Sequence, residues 1–206
     1  MKSSTNLGYR DTYQFTLHCQ SEFRNIGDQA WKNALAKNRE SYTRAEDIRE
    51  YIKLKEPLWK DYEKRVFDEL SGITSLKWKE EKIICYTVGF CRPFSDPLTI
   101  MPFDSDEHFI DTLIHELIHQ IFTQNPDKIK GPYNFFKERY HLETTKTFNH
   151  IVLYAVYFEL YKRLFNDGRL EQIKARLSDK DYTRAWEIVE KYGYNNIIKD
   201  FLDHIG

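Results

Sequence analysis

Cysteine is scarce: Cys19, Cys85 and Cys91 are the only ones in 206 residues, and none forms a CxxC pair. So few, and odd in number, they argue against a disulfide scaffold and fit a reducing compartment; a Cys85–Cys91 bridge across a hairpin stays open. Charge of one sign is also missing. With 31 Lys and Arg against 32 Asp and Glu, the net charge is -1, which gives no surface dedicated to nucleic acid or to an anionic membrane. The longest unbroken apolar run, Ile151–Phe158, is too short to span a bilayer, and the opening MKSSTNLGYRDTYQF has no apolar leader core. No internal repeat or low-complexity run occurs. The expectation is a cytoplasmic protein with no nucleic-acid or membrane partner, folded as a single domain over 1–206. What is abundant supports a packed core, since 16% of the residues are aromatic, 14 Tyr and 14 Phe among them.

The one chemically specific stretch is His115-Glu116-Leu117-Ile118-His119, an HExxH. On a helix, residues four apart lie one turn apart on the same side, so two imidazoles can converge on one cation with Glu116 beside them as a general base. Zinc suits such donors and keeps a position open in catalytic sites. The segment reads as a helix over 104–124. Asp104 and Glu107 form a capping-box-like start, and apolar pairs recur every four residues: Phe109-Ile110, Leu113-Ile114, Leu117-Ile118 and Ile121-Phe122. Pro126 is expected to stop it.

Around this helix, Tyr13, Phe15, Leu17 and Cys19 alternate as a strand, and Gln29–Asn38 reads as a short helix. Thr43 with Glu46 opens a helix to Glu56, and Pro57 starts another that Gly72 caps. Ile83–Val88 and Leu98–Met101 read as strands joined by a turn rich in Gly and Pro, delivering the chain to the HExxH. Residues 125–140 read as a loop or broken helix. A second long helix runs from about His141 to Phe165, followed by two or three short amphipathic helices.

Two histidines seldom hold catalytic zinc alone, so a third donor is expected downstream. His141, Glu143, His150, Glu159 and His204 are available. His150 is favoured because it sits in the apolar FNHIVLYAVY, where an ionisable ring is costly unless bonded. Glu143 is the rival; seven residues away it lies roughly 10 Å along the same helix face, so one ion cannot use both. Tyr154 and Tyr157 follow on the His150 face, where either hydroxyl reaches an oxyanion or simply packs.

With these residues, 80–165 resembles the zincin superfamily of zinc metallopeptidases, closest in order to the compact gluzincin-type core. The resemblance implies an α+β, predominantly helical fold: a small antiparallel sheet whose edge strand binds substrate, the HExxH helix, and a second ligand-bearing helix. Residues 1–79 then give helical support with a short strand, and 166–206 the C-terminal helices. It also implies a hydrolase of peptide or protein substrates with one Zn2+ per chain, bound by His115, His119 and His150, and with Glu116 as general base. Two departures stand out. Gluzincins use a glutamate where this chain offers His150, and the metzincin HxxGxxH extension is replaced by Gln120-Ile121-Phe122-Thr123-Gln124-Asn125. The alternative is an inactive zincin-like metal-binding module acting in regulation or partner binding. Action on DNA-bound proteins is opposed by the near-neutral charge.

Overall fold

The computed structural model describes residues 14–19, 45–89, 91–165 and 168–206, the first stretch as backbone alone. The expected helix over 29–38 and the Thr43 cap lie outside the described residues.

The first described helix, α1 (Ala45–Thr74), is continuous through Pro57 where two helices were expected. Its buried residues Ile48, Ile52, Lys55, Trp59, Val66, Leu70 and Ile73 recur at steps of three, four or seven residues on both sides of the proline. One stripe therefore packs on the core throughout, while Pro57 faces solvent, where water can satisfy the carbonyl that its missing N–H leaves unbonded. Gly72 is inside the helix, which ends two residues later as Ser75 takes a left-handed φ of 55°. Lys55, buried in the stripe, pairs with Asp106 at the start of the next long helix.

Among the described residues one sheet forms from β1 (Gln14–Cys19), β2 (Lys82–Thr87), β3 (Phe94–Ser95) and β4 (Leu98–Ile100), in the order β1-β2-β4-β3. The sheet is mixed rather than antiparallel. β1 and β2 pair in parallel, β2 and β4 pair in parallel, and only β3 and β4 are antiparallel. The Gly- and Pro-rich segment reverses the chain twice, once before β3 and again at Asp96-Pro97, so β4 returns in the direction of β2. No Cys85–Cys91 bridge forms; both are buried free thiols.

The HExxH lies on α2 (Asp106–Thr123), whose N-cap is Ser105: its Oγ accepts the His108 N–H at 3.0 Å. Phe109, Leu113, Ile114, Leu117, Ile118 and Ile121 are completely buried. Pro126 does not lead into a loop. It opens α3 (Pro126–Arg139) as that helix's first residue, where its missing N–H costs nothing, and Pro132 is accommodated inside.

The helix expected to carry the third ligand, α4 (Thr145–Leu164), starts at the Thr144 cap, four residues later than expected. Its stretch Ile151–Tyr157 is buried on every side, and the helix is packed by α1 and α2 and by the C-terminal helices α5 (Gly168–Arg176), α6 (Lys180–Tyr192) and α7 (Tyr194–Asp203). Among the described residues no helix is long and apolar enough to cross a membrane.

The end of α7 lies directly on α3. A Cβ on Gly131 would collide with the His204 backbone carbonyl. Gly131→Ala is therefore expected to destabilise the fold by about 1–3 kcal/mol, read as a lower midpoint of urea unfolding.

Candidate metal centre

His115 and His119 stand one turn apart on α2, and α4 brings His150 against them. Ring centroids are 5.1 Å apart for His115 and His119, 5.4 Å for His115 and His150, and 5.0 Å for His119 and His150. One nitrogen from each ring lies within 4.8 Å of the other two, an arrangement that can hold a metal ion.

Two features fit a tetrahedral cation. Donors each about 2.0–2.1 Å from such an ion stand roughly 3.3 Å apart, and the His119 and His150 Nε2 atoms are 3.3 Å apart. His150 Nδ1 donates to the Lys146 carbonyl at 2.7 Å, so in the neutral ring the lone pair is on Nε2, facing the other histidines. A backbone carbonyl holding the far nitrogen is the usual way a metal-binding imidazole is oriented.

Burial keeps these rings uncharged. Desolvation, reinforced by the neighbouring histidines, pushes His115 well below its ordinary 6.5 and His119 down to about 3. Desolvation also lowers His150, against the Lys146 hydrogen bond. Neutral imidazole is the form that binds metal. Glu116, 7% exposed, is pushed by burial up to about 8, with Arg92 acting in the opposite direction.

A pH profile of the metal-free protein follows from these four groups. The depressed histidines refuse protons that the unfolded chain accepts, so stability is lost as pH falls from 6.5 toward 3. The raised Glu116 does the reverse, losing stability as pH rises from 4.5 to about 8. Three groups outweigh one where the windows overlap. Thermal melts of metal-free protein should therefore show a stability maximum near pH 6.5, about the ordinary histidine value.

His115 and Glu116 line a cavity of about 220 Å³ together with Arg92, Asp111, Tyr154 and Tyr182. His119 and His150 line a second, of about 280 Å³, with Phe122, Tyr133, Phe136 and Phe148. Of the two tyrosines expected near the site, Tyr157 is committed elsewhere, its hydroxyl bonded to Tyr161 at 2.7 Å and to the Asp111 carbonyl at 3.2 Å. Tyr154 has its ring 6.0 Å from His115, and its hydroxyl makes no hydrogen bond among the described residues.

The other expected donors are not in the cluster. Glu143 lies in the turn before α4, held by Arg184 at 3.0 and 2.7 Å. Glu159 pairs with Arg163, His141 bonds the Glu138 carbonyl, and His204 stacks on Phe135. The edge strand β3 is partly covered by the chain itself, since the Ser95 carbonyl accepts from the Gln120 side chain of α2.

Three residues join the site without a signal in the sequence. Tyr182, from α6, packs its ring 4.5 Å from that of His150. Arg92 donates to the Tyr182 hydroxyl at 2.8 Å. Asp111, one turn before His115, is 5% exposed and receives Arg169 Nε and Nη2 at 3.0 and 2.9 Å, the Tyr161 hydroxyl at 2.6 Å, and Arg176. No protein-family model, curated protein or solved structure matches the chain, so its chemistry rests on these side chains alone.

Proposed function

We propose that the chain is a zinc-dependent metallopeptidase of zincin type, with His115, His119 and His150 as ligands and Glu116 as general base. The observation that carries this reading is the convergence of three imidazoles, with the buried Glu116 carboxyl group beside His115 on the wall of one cavity. Three imidazoles are a donor set zinc takes in catalytic sites with one position left open. Bound there, zinc supplies a Lewis acid that polarises the scissile carbonyl and acidifies a water.

The chain's own residues do the rest. Glu116 takes the proton of the attacking water and delivers it to the leaving amine, which requires the ionised form first. The cationic field of Arg92 favours that form, as does any cation placed among the histidines. The Tyr154 hydroxyl is available as a donor to negative charge developing on the substrate oxygen. The low-dielectric wall strengthens each of these interactions.

The reading is tested by incubating zinc-loaded protein with a mixed peptide library and following new termini by mass spectrometry, with Glu116→Gln as control. New termini in the wild type alone support it. If neither protein cleaves while both bind one zinc, the chain is a metal-binding module that acts in regulation or partner binding.

A further inference from the structure

The cavity beside Glu116 is lined by two arginines, Arg92 and Arg176, and by two acids. Its acids are Asp111 and Glu116, and Asp111 is already held by Arg169 and Arg176. Arg92 lines the same cavity with its side chain 64% exposed. Among the described residues its single hydrogen bond goes to the Tyr182 hydroxyl. Its carboxylate neighbour, Asp179 Oδ2, is 3.8 Å away and accepts from Lys146 Nζ at 2.8 Å.

A guanidinium presents five N–H donors in a planar fork that matches a carboxylate, so most of the Arg92 fork is unused. It is nevertheless held in place. The guanidinium carbon lies 5.7 Å from the Tyr182 ring centroid, and that ring lies 4.5 Å from His150 and 6.2 Å from His115. The guanidinium is thus fixed one aromatic ring away from the candidate metal ligands, on the cavity that Glu116 lines, with one hydrogen bond made and a single long ion pair to a carboxylate that Lys146 already holds.

We propose that Arg92 is a specificity residue that selects substrates with a carboxylate next to the cleaved bond. The inference rests on the hydrolase reading above. The carboxylate is either the C-terminal one, which makes the enzyme an exopeptidase, or an Asp or Glu side chain. A bidentate charged pair at a partly desolvated site changes selectivity by roughly tenfold or more.

Peptide pairs that differ only in a free or amidated C-terminus, or only in Glu against Gln beside the cleaved bond, separate the two sources. The wild type should favour the carboxylate in one pair by roughly tenfold or more in kcat/KM. In Arg92→Met the ratio should fall to near one, and Arg92→Lys should keep part of it. A purely structural loss would instead slow both members of each pair alike and leave the ratio intact, which overturns the proposal.

A binding readout separates this failure from failure of the hydrolase reading. Zinc-loaded protein is titrated calorimetrically with succinic monohydroxamic acid and with its carboxamide analogue. Tighter binding of the acid, lost in Arg92→Met, supports the proposal. Equal binding of the two probes overturns it while the metal site stands, and no binding of either, with no peptide cleaved, overturns both.

Discussion

Replacing Glu116 by glutamine is expected to leave about one zinc per chain and to slow peptide hydrolysis about a thousandfold or more. The two side chains have nearly the same shape, so the packing around this 7% exposed group is kept. What is lost is the oxygen that can take a proton. The metal-free variant should also fold at least as well as the wild type. Burial holds the Glu116 carboxyl neutral up to about pH 8, and glutamine supplies that neutral state at every pH. The Glu116 contribution, which the wild type loses as pH rises from 4.5 to about 8, should be absent from the pH profile of the variant. Steady-state kinetics, zinc analysis and thermal melts at pH 5 and 9 check the three statements separately. Retained hydrolysis in Glu116→Gln would remove Glu116 from the proton pathway.

Asp111→Ala should destabilise the protein by about 3 kcal/mol, because it removes one partner of a buried charged network. The Arg169 side chain, 15% exposed, would lose the two hydrogen bonds that neutralise it, and the Tyr161 hydroxyl, on a residue 1% exposed, would lose its acceptor. Arg176, at 35%, can turn toward water and contributes less. For a chain of this length the change corresponds to a fall in melting temperature of roughly 6–12 °C. Asp111→Asn keeps an acceptor without the charge and should fall between. Since Asp111 is four residues before His115 and bonded to α5, its loss should also loosen the cavity wall. A change under about 1 kcal/mol would mean that the arginines are solvated equally well without it.

The centre of the site was legible because its chemistry is local. HExxH fixes the spacing of His115 and His119, and a histidine within an apolar run needs a partner for its ring nitrogens. His150 was favoured over Glu143 for its apolar surroundings; what keeps Glu143 out of the cluster is a cap, since Thr144 begins α4 and leaves Glu143 outside the helix, within reach of Arg184. Breakers were the weak point. Pro57 and Pro132 both sit inside helices, because continuous apolar faces outweigh a lost hydrogen bond, and periodicity on both sides of a proline is the sign to read.

Sheet direction was not legible, since it depends on how 88–97 passes over the strand that will become β4's neighbour. Arg92, Tyr182 and Asp111 were missed for a different reason. A lone arginine in a turn, a tyrosine near a helix start and an acid in an apolar helix acquire meaning only when distant segments meet.

Elemental analysis of purified protein, wild type beside His115→Ala and His150→Ala, tests the central claim most directly. A three-histidine centre should give about one zinc per chain in the wild type and well below stoichiometric zinc in both variants, with fold retained by circular dichroism. A wild type that takes up no zinc even after reconstitution, or a His150→Ala variant that keeps its full complement, would contradict the three-histidine centre.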